Sequence, residues 1–203
     1  VVVSGDGYPS TTVNFGRDAA LTKALTGSAT WETVAVNPIE DLEDWADLVQ
    51  TKSGMIAKTV IMDPEAWKIF RSKDDVKKFL DYRRGTNNTL NVDPFIRGEN
   101  SKVRYVGSIG DFDIYVYNDI YINDAGVESK LLPAKTVIMG AKDGLEGTRC
   151  YGAIHDEKAN WTAHRYFTKS WVEEDPSVRW LLLQSAPLVV PYRPNASFCA
   201  TIG

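Results

Sequence analysis

The chain has 203 residues, a formal charge of −4, and 43% hydrophobic against 25% charged residues. That is enough to bury a real core in one or two domains, in the balance of an ordinary globular protein. The acidic balance argues against a protein that grips nucleic acid tightly through phosphate contacts, which needs a clustered basic face.

Val1 to Thr12 is rich in Ser, Gly, Thr and Pro and reads as a loop. Thr12 to Arg17 alternates briefly like an edge strand, and Asp18 to Ser28 reads as a short helix stopped by Gly27, or as a structured loop. The clearest helix starts at Asn37, a good N-cap. Pro38 suits the first helical position, and Glu40 stands where a capping box wants an acid. Ile39, Leu42, Trp45, Ala46 and Val49 recur at helical spacing, acids fill the other face, and Gly54 ends the pattern. Ala57 to Met62 reads as a strand, and Asp63-Pro64 opens a second helix bearing Trp67, Ile69 and Phe70. Ser72, with Asp75 three residues on, predicts the cap of a third helix carrying Val76, Phe79 and Leu80 and ending at Arg83-Arg84-Gly85.

Thr86 to Lys102 is a long polar segment, the kind usually functional, mobile or pinned by partners. Strands follow at Val103–Ser108 and Asp111–Tyr117 with Gly110 at the turn. A hairpin then joins Ile120–Ile122 to Val127–Leu132 through the tip Asn123–Gly126. From Pro133 onward, short β-branched and aromatic runs are punctuated by Gly, Pro and Asp, as strands are. Helices in the first half and antiparallel strands in the second predict an α+β fold.

The search for chemistry returns little. His155 and His164, the only histidines, fit no metal-binding spacing, and His155-Asp156 lacks a serine elbow or a Cys–His signature to complete it. Glu173, Glu174 and Asp175 precede a proline and read as an exposed turn rather than as paired catalytic carboxylates. The acids of the Asn37 helix read as a solvated face, favoured near the positive helix end. Strand, turn and Pro-led helix at 57–70 lack the glycine-rich loop of a nucleotide fold. Cys150 and Cys199 match no ligand spacing and are expected as reduced, buried thiols of a cytoplasmic product. The longest apolar run, near Leu181–Leu183, is broken by Arg179, Gln184 and Pro187, so no membrane partner is expected. The sequence therefore points to no catalytic, cofactor-binding or metal-binding residue. Six Trp and nine Tyr raise the expectation of assembly, because such rings are enriched at interfaces as well as in cores.

The order of several unspecific pieces is more informative. Thr12-Val13-Asn14-Phe15-Gly16-Arg17, Trp31 and Asn37-Pro38-Ile39-Glu40-Asp41-Leu42 come first. Val60-Ile61-Met62-Asp63 with Trp67 precedes Leu80-Asp81-Tyr82-Arg83-Arg84-Gly85 and Asp113-Ile114-Tyr115-Val116-Tyr117. Tyr151-Gly152-Ala153-Ile154, Ser170-Trp171-Val172, Asp175-Pro176 and Ser185-Ala186-Pro187-Leu188-Val189-Val190-Pro191 close the series. In this order the chain resembles the tailed-phage major capsid protein family of the lambda type, the capsid E family, over nearly its whole length.

The resemblance implies an HK97-like capsid fold with an axial and a peripheral domain, and a structural protein, not an enzyme. Residues 1–36 would be the remnant of an N-terminal loop and peripheral region, and 37–203 the main body, axial domain plus returning peripheral strands. The implied partner is the protein itself, in the hexamers and pentamers of an icosahedral shell enclosing double-stranded DNA. Scaffolding, portal and decoration proteins are further implied partners, and packaged DNA would be touched only weakly and non-specifically. The implied location is the virion, assembled in the bacterial host cytoplasm. Against the resembled family the sequence is expected to lack an N-terminal portion, where the family carries its extended arm and much of the projecting loop, and it opens at Val1 without Met. Thr86–Asn100 and Asp143–Gly147 are expected at subunit contacts or exposed loop tips. The alternatives are a related nanocompartment or tail structural protein, a β-rich hydrolase using Glu173, Glu174 or Asp156, and a binding module with a pocket at Trp161 or Trp171.

Overall fold

A computed structural model describes residues 2–5, 8–78, 102–123 and 125–203. The chain divides into two compact units, Val1–Gly16 with Glu146–Tyr192, and Arg17–Leu145 with Arg193–Gly203.

The Arg17–Leu145 unit is built on a six-stranded sheet. Its strands are β3 (Thr22–Ala24), β4 (Thr59–Met62), β5 (Val103–Ile109), β6 (Phe112–Tyr117), β9 (Thr136–Gly140) and β14 (Ser197–Thr201), in the order β3-β14-β9-β4-β6-β5. The pairs β4–β6 and β14–β3 are parallel and the others antiparallel, so the sheet is mixed. Central strands alternate or run wholly buried: Val60, Met62, Ile114, Val137, Met139, Phe198 and Ala200 face the core.

Two helices cover this sheet. Helix α1 (Pro38–Ser53) starts because the Asn37 side chain accepts the Ile39 N–H at 3.1 Å while Pro38 occupies its first turn. It ends at Gly54, whose φ of +71° closes the helix on the Gln50 carbonyl in a left-handed conformation other residues resist. Helix α2 (Pro64–Ser72) repeats the design with Asp63 as cap. Leu42, Trp45 and Val49 of α1 and Ala66 and Phe70 of α2 are buried. An aromatic chain runs through this core: Trp31 stacks on Trp45 at 5.7 Å, and Trp45 on Phe198 at 4.8 Å. Such pairs add roughly 0.5–1.5 kcal/mol each beyond their burial. Trp31 is held by Asp41, whose Oδ2 accepts the indole N–H at 2.7 Å. Burial pushes the Asp41 carboxyl up despite that hydrogen bond.

Outside the sheet, β7 (Ile120–Ile122) and β8 (Glu128–Lys130) form the expected hairpin. Its tip is tied by Asn123, whose Oδ1 accepts the N–H groups of Ala125 and Val127.

The other unit consists of two-stranded ribbons. They pair β1 (Val2–Gly5) with β2 (Tyr8–Thr12), β10 (Gly147–Tyr151) with β13 (Pro187–Pro191), and β11 (Phe167–Glu173) with β12 (Val178–Gln184), all antiparallel. Among its described residues only Ile154 and Ala159 are buried hydrophobics.

The helices in the first half and the strand-rich second half match the sequence reading; several local expectations do not. The opening residues, read as a loop, form the β1–β2 hairpin, while the edge strand expected to Arg17 stops at Thr12. Asp18–Ser28 is not a helix: Asp18 caps a single 3-10 turn, Ala19–Leu21, and the chain then extends as β3 beside β14. Pairing with β14 overrides the weak helical spacing there. Ser72 is not the third helix's cap; its hydroxyl donates back to the Ile69 carbonyl at 2.7 Å, and the next helical turn springs from Lys73. The rest of that helix, Phe79 and Leu80 included, lies outside the described residues.

Candidate interaction surfaces

The residues singled out for chemistry are structural where they fall. Asp156 caps the 3-10 turn Glu157–Ala159 by accepting the Lys158 N–H at 2.9 Å, and its second oxygen takes the Lys169 ammonium at 2.8 Å. The Lys169 contact holds its carboxyl below the usual range, so it is an ionised anchor, not a poised base. His155 meets the edge of Trp161 at 5.0 Å, and His164 Nε2 shares a hydrogen bond with the Thr162 hydroxyl at 2.9 Å. Glu173 accepts the Trp180 indole N–H at 2.9 Å across β11–β12. Asp156, His164 and Glu173 thus each hydrogen-bond a neighbouring residue. Among the described residues no group of three or more His, Cys, Asp or Glu could hold a metal ion, and no helix is long and apolar enough to cross a membrane.

The cysteine expectation is corrected. Cys150 is exposed, because it lies on a ribbon with little behind it, and Cys199 is half-buried with its thiol pushed up by burial.

The surfaces that stand out are apolar. On β11–β12, Trp171 pairs directly with Trp180, and the rings stack at 6.2 Å. The opposite side of that ribbon carries Val172, Leu181 and Leu183, and Leu181 is 80% exposed. Trp161 and Tyr166 are exposed in the same unit. The tryptophans therefore divide: Trp31 and Trp45 build a core, whereas Trp161, Trp171 and Trp180 face outward. A second apolar surface is the β7–β8 hairpin, with Ile120, Tyr121, Ile122, Val127 and Leu131 exposed. Lys130 staples that hairpin down: its Nζ lies 3.2 Å from the buried Asp63 carboxylate and 3.3 Å from Glu65. Asp63 also accepts the Glu65 and Lys135 N–H groups, so one carboxylate fixes helix, hairpin and strand entry together.

Of the two expected contact segments, Thr86–Asn100 lies outside the described residues. In the other, Asp143, Leu145, Glu146 and Gly147 are exposed, whereas Gly144 is buried against Met55 and Ala196. A shallow open groove runs beside α1 over Trp45 and Phe198, between Asp44, Asp47 and Lys23.

Exposed apolar side chains are thus concentrated on the β11–β12 ribbon and the β7–β8 hairpin. The family model described as phage major capsid protein E matches residues 1–202. The chain belongs to that family. Its similarity to named capsid proteins is of the same kind. It is 31% identical over 200 residues to the major capsid protein of Escherichia phage N15, covering 95% of this chain and 56% of that one. Identity to the major capsid protein of Escherichia phage lambda is 30% over 200 residues, with the same two shares. The chain thus spans little more than half the length of these curated relatives, 56% in both cases. The fold matches the crystal structure of a prophage capsid protein from Escherichia coli CFT073, with a TM-score of 0.77 at 23% identity, over 100% of this chain and 58% of that one.

Reading residues for chemistry missed the exposed apolar surfaces because they carry no reactive groups. The signal was present in the apolar runs Ile120-Tyr121-Ile122 and Leu181-Leu182-Leu183, which do not alternate. A strand apolar at successive positions has apolar side chains on both faces, and a two-stranded ribbon cannot cover both.

Proposed function

We propose that this chain is a major part of a phage or prophage major capsid protein. Its copies form the hexamers and pentamers of an icosahedral shell that encloses double-stranded DNA. The observation that carries this reading is the family match over residues 1–202, supported by the exposed apolar ribbons. The role is mechanical and not enzymatic. Many modest contacts, each weak alone, become tight when closed symmetry makes them simultaneous.

On this reading the fold is HK97-like. Residues 1–36 are the remnant of an N-terminal loop and peripheral region, and 37–203 the main body of axial domain and returning peripheral strands. Apart from residues 17–36, which it shares with that remnant, the six-stranded-sheet unit is the natural candidate for the axial domain, and the ribbon unit for the peripheral strands. The protein's partners are its own copies, with scaffolding, portal and decoration proteins at assembly. A net charge of −4 suits a container whose contact with packaged DNA is weak and non-specific. The protein is placed in the virion after assembly in the host cytoplasm.

Negative-stain electron microscopy of the full-length gene product tests this. Closed shells or capsomer rings are expected. Monomers alone, at high concentration and with any scaffold protein co-expressed, would overturn it.

A further inference from the structure

The loop that joins β10 to β11 in the ribbon unit holds a bulky residue where the backbone favours glycine. The Thr162 N–H donates to the Ala159 carbonyl at 3.1 Å, closing a four-residue turn. Its two central residues, Asn160 and Trp161, have φ of +51° and +54°. Two positive φ values in succession are the pattern of a type I′ turn, in which Asn suits the first position and Gly the second. Asn tolerates the left-handed region, whereas a bulky residue there crowds its Cβ against a carbonyl oxygen. Burial offers little compensation, because the Trp161 ring is 59% exposed and meets His155 edge-on at 5.0 Å.

The frame on either side holds Trp161 in this conformation. Ala159 directly precedes the turn and is buried, as is Ile154 where the loop begins. The Ile154 N–H donates to the Thr162 carbonyl at 3.0 Å, and Ala153 bridges Ala163. The Thr162 hydroxyl donates to the Ala159 carbonyl at 2.7 Å. Asp156 fixes the near side: one carboxylate oxygen caps the Glu157–Ala159 turn, and the other takes the Lys169 ammonium of β11 at 2.8 Å. That pair ties the loop to the β11–β12 ribbon, with Asp156 largely covered. Strained backbone persists where its surroundings over-determine it, and stored strain is a source of bistability.

We infer that residues 154–162 form a sprung turn with two states, and that the Asp156–Lys169 pair sets the balance between them. One state displays Trp161 in the left-handed conformation, and in the other Trp161 has relaxed to negative φ. Relaxation swings Thr162 away, so the Thr162–Ala159 and Ile154–Thr162 backbone bonds break together. The opening is confined to the loop, because β10–β13 and β11–β12 keep their own ladders. This device needs no partner and does not depend on the shell reading. It decides whether an exposed indole is held in one fixed direction or released.

Amide exchange at Ile154 in the unassembled full-length product reads the balance, with the β10–β13 ladder as internal control. Lys169→Met removes the tie but keeps an aliphatic side chain, and should speed Ile154 exchange about tenfold with the control unchanged. Trp161→Gly supplies the residue the turn prefers and should slow Ile154 exchange about tenfold. Combined, the two changes should offset and return the rate to near wild type. Faster exchange in Trp161→Gly would make the ring a packing element of the loop rather than a source of strain, and would overturn the inference. So would an unchanged Ile154 rate in Lys169→Met, or a β10–β13 ladder that speeds up with it. A double variant as fast as Lys169→Met alone would also overturn it.

Discussion

The two compact units of this chain spend similar residues in opposite ways. In the unit on the six-stranded sheet, Trp31, Trp45, Phe70 and Phe198 are within a few per cent of full burial and touch one another. In the ribbon unit, Trp161, Trp171, Trp180, Leu181 and Leu183 are exposed over little buried material. An isolated two-stranded ribbon is marginal in water. The first unit buries its aromatic rings, and the second leaves them exposed.

Large effects belong on the core side. Phe198→Ala removes a ring stacked on Trp45 and should destabilise by about 3–5 kcal/mol in urea unfolding. A loss under about 1 kcal/mol would show that the sheet unit is not a packed core. Asp63→Ala removes the cap of α2 and leaves Lys130 and the Lys135 N–H without their buried partner, at about 3 kcal/mol. It should also loosen the β7–β8 hairpin, readable as faster amide exchange there.

Acid supplies an intermediate effect. Asp18, Asp119 and Asp156 have folded pKa values lowered by Lys52, Lys102 and Lys169 respectively. A lowered folded value stabilises above the unfolded carboxylate value of about 3.9, and that stability is lost as pH falls through the folded values. Asp41 has the opposite sign: its raised value opposes folding at neutral pH, and acid relieves it. The melting temperature should therefore fall below about pH 4, and fall further in Asp41→Asn, where the relief is gone. An Asp41→Asn profile parallel to wild type would contradict the assignment.

The smallest effect belongs to the ribbons. Leu181→Ser with Leu183→Ser should change stability by under about 0.5 kcal/mol per site, because both side chains already face water. A large destabilisation would mean that the ribbon has an intramolecular cover and would dissolve the contrast between the units.

How much of this the sequence carried differs between the same two regions. Helix α1 was legible because Asn37, Pro38 and Gly54 are local devices, each acting within one turn. The β7–β8 hairpin and the β5–β6 turn at Gly110, φ +59°, were legible for the same reason. The sheet order was not, since β14 joins β3 to β9 across most of the chain and no local residue announces that. Nor did local composition separate Trp45 from Trp171; one ring has a sheet behind it and the other does not. Family membership was legible only through the order of weak pieces, because no single motif in the chain is specific.

Hydrogen–deuterium exchange on the full-length product, before and after assembly, tests the central contrast most directly. Assembly should protect the ribbon β11–β12 and the β7–β8 hairpin strongly while leaving β4, β9 and β14 unchanged. Ribbons that exchange equally in both states would contradict the claim that their apolar faces are contact surfaces.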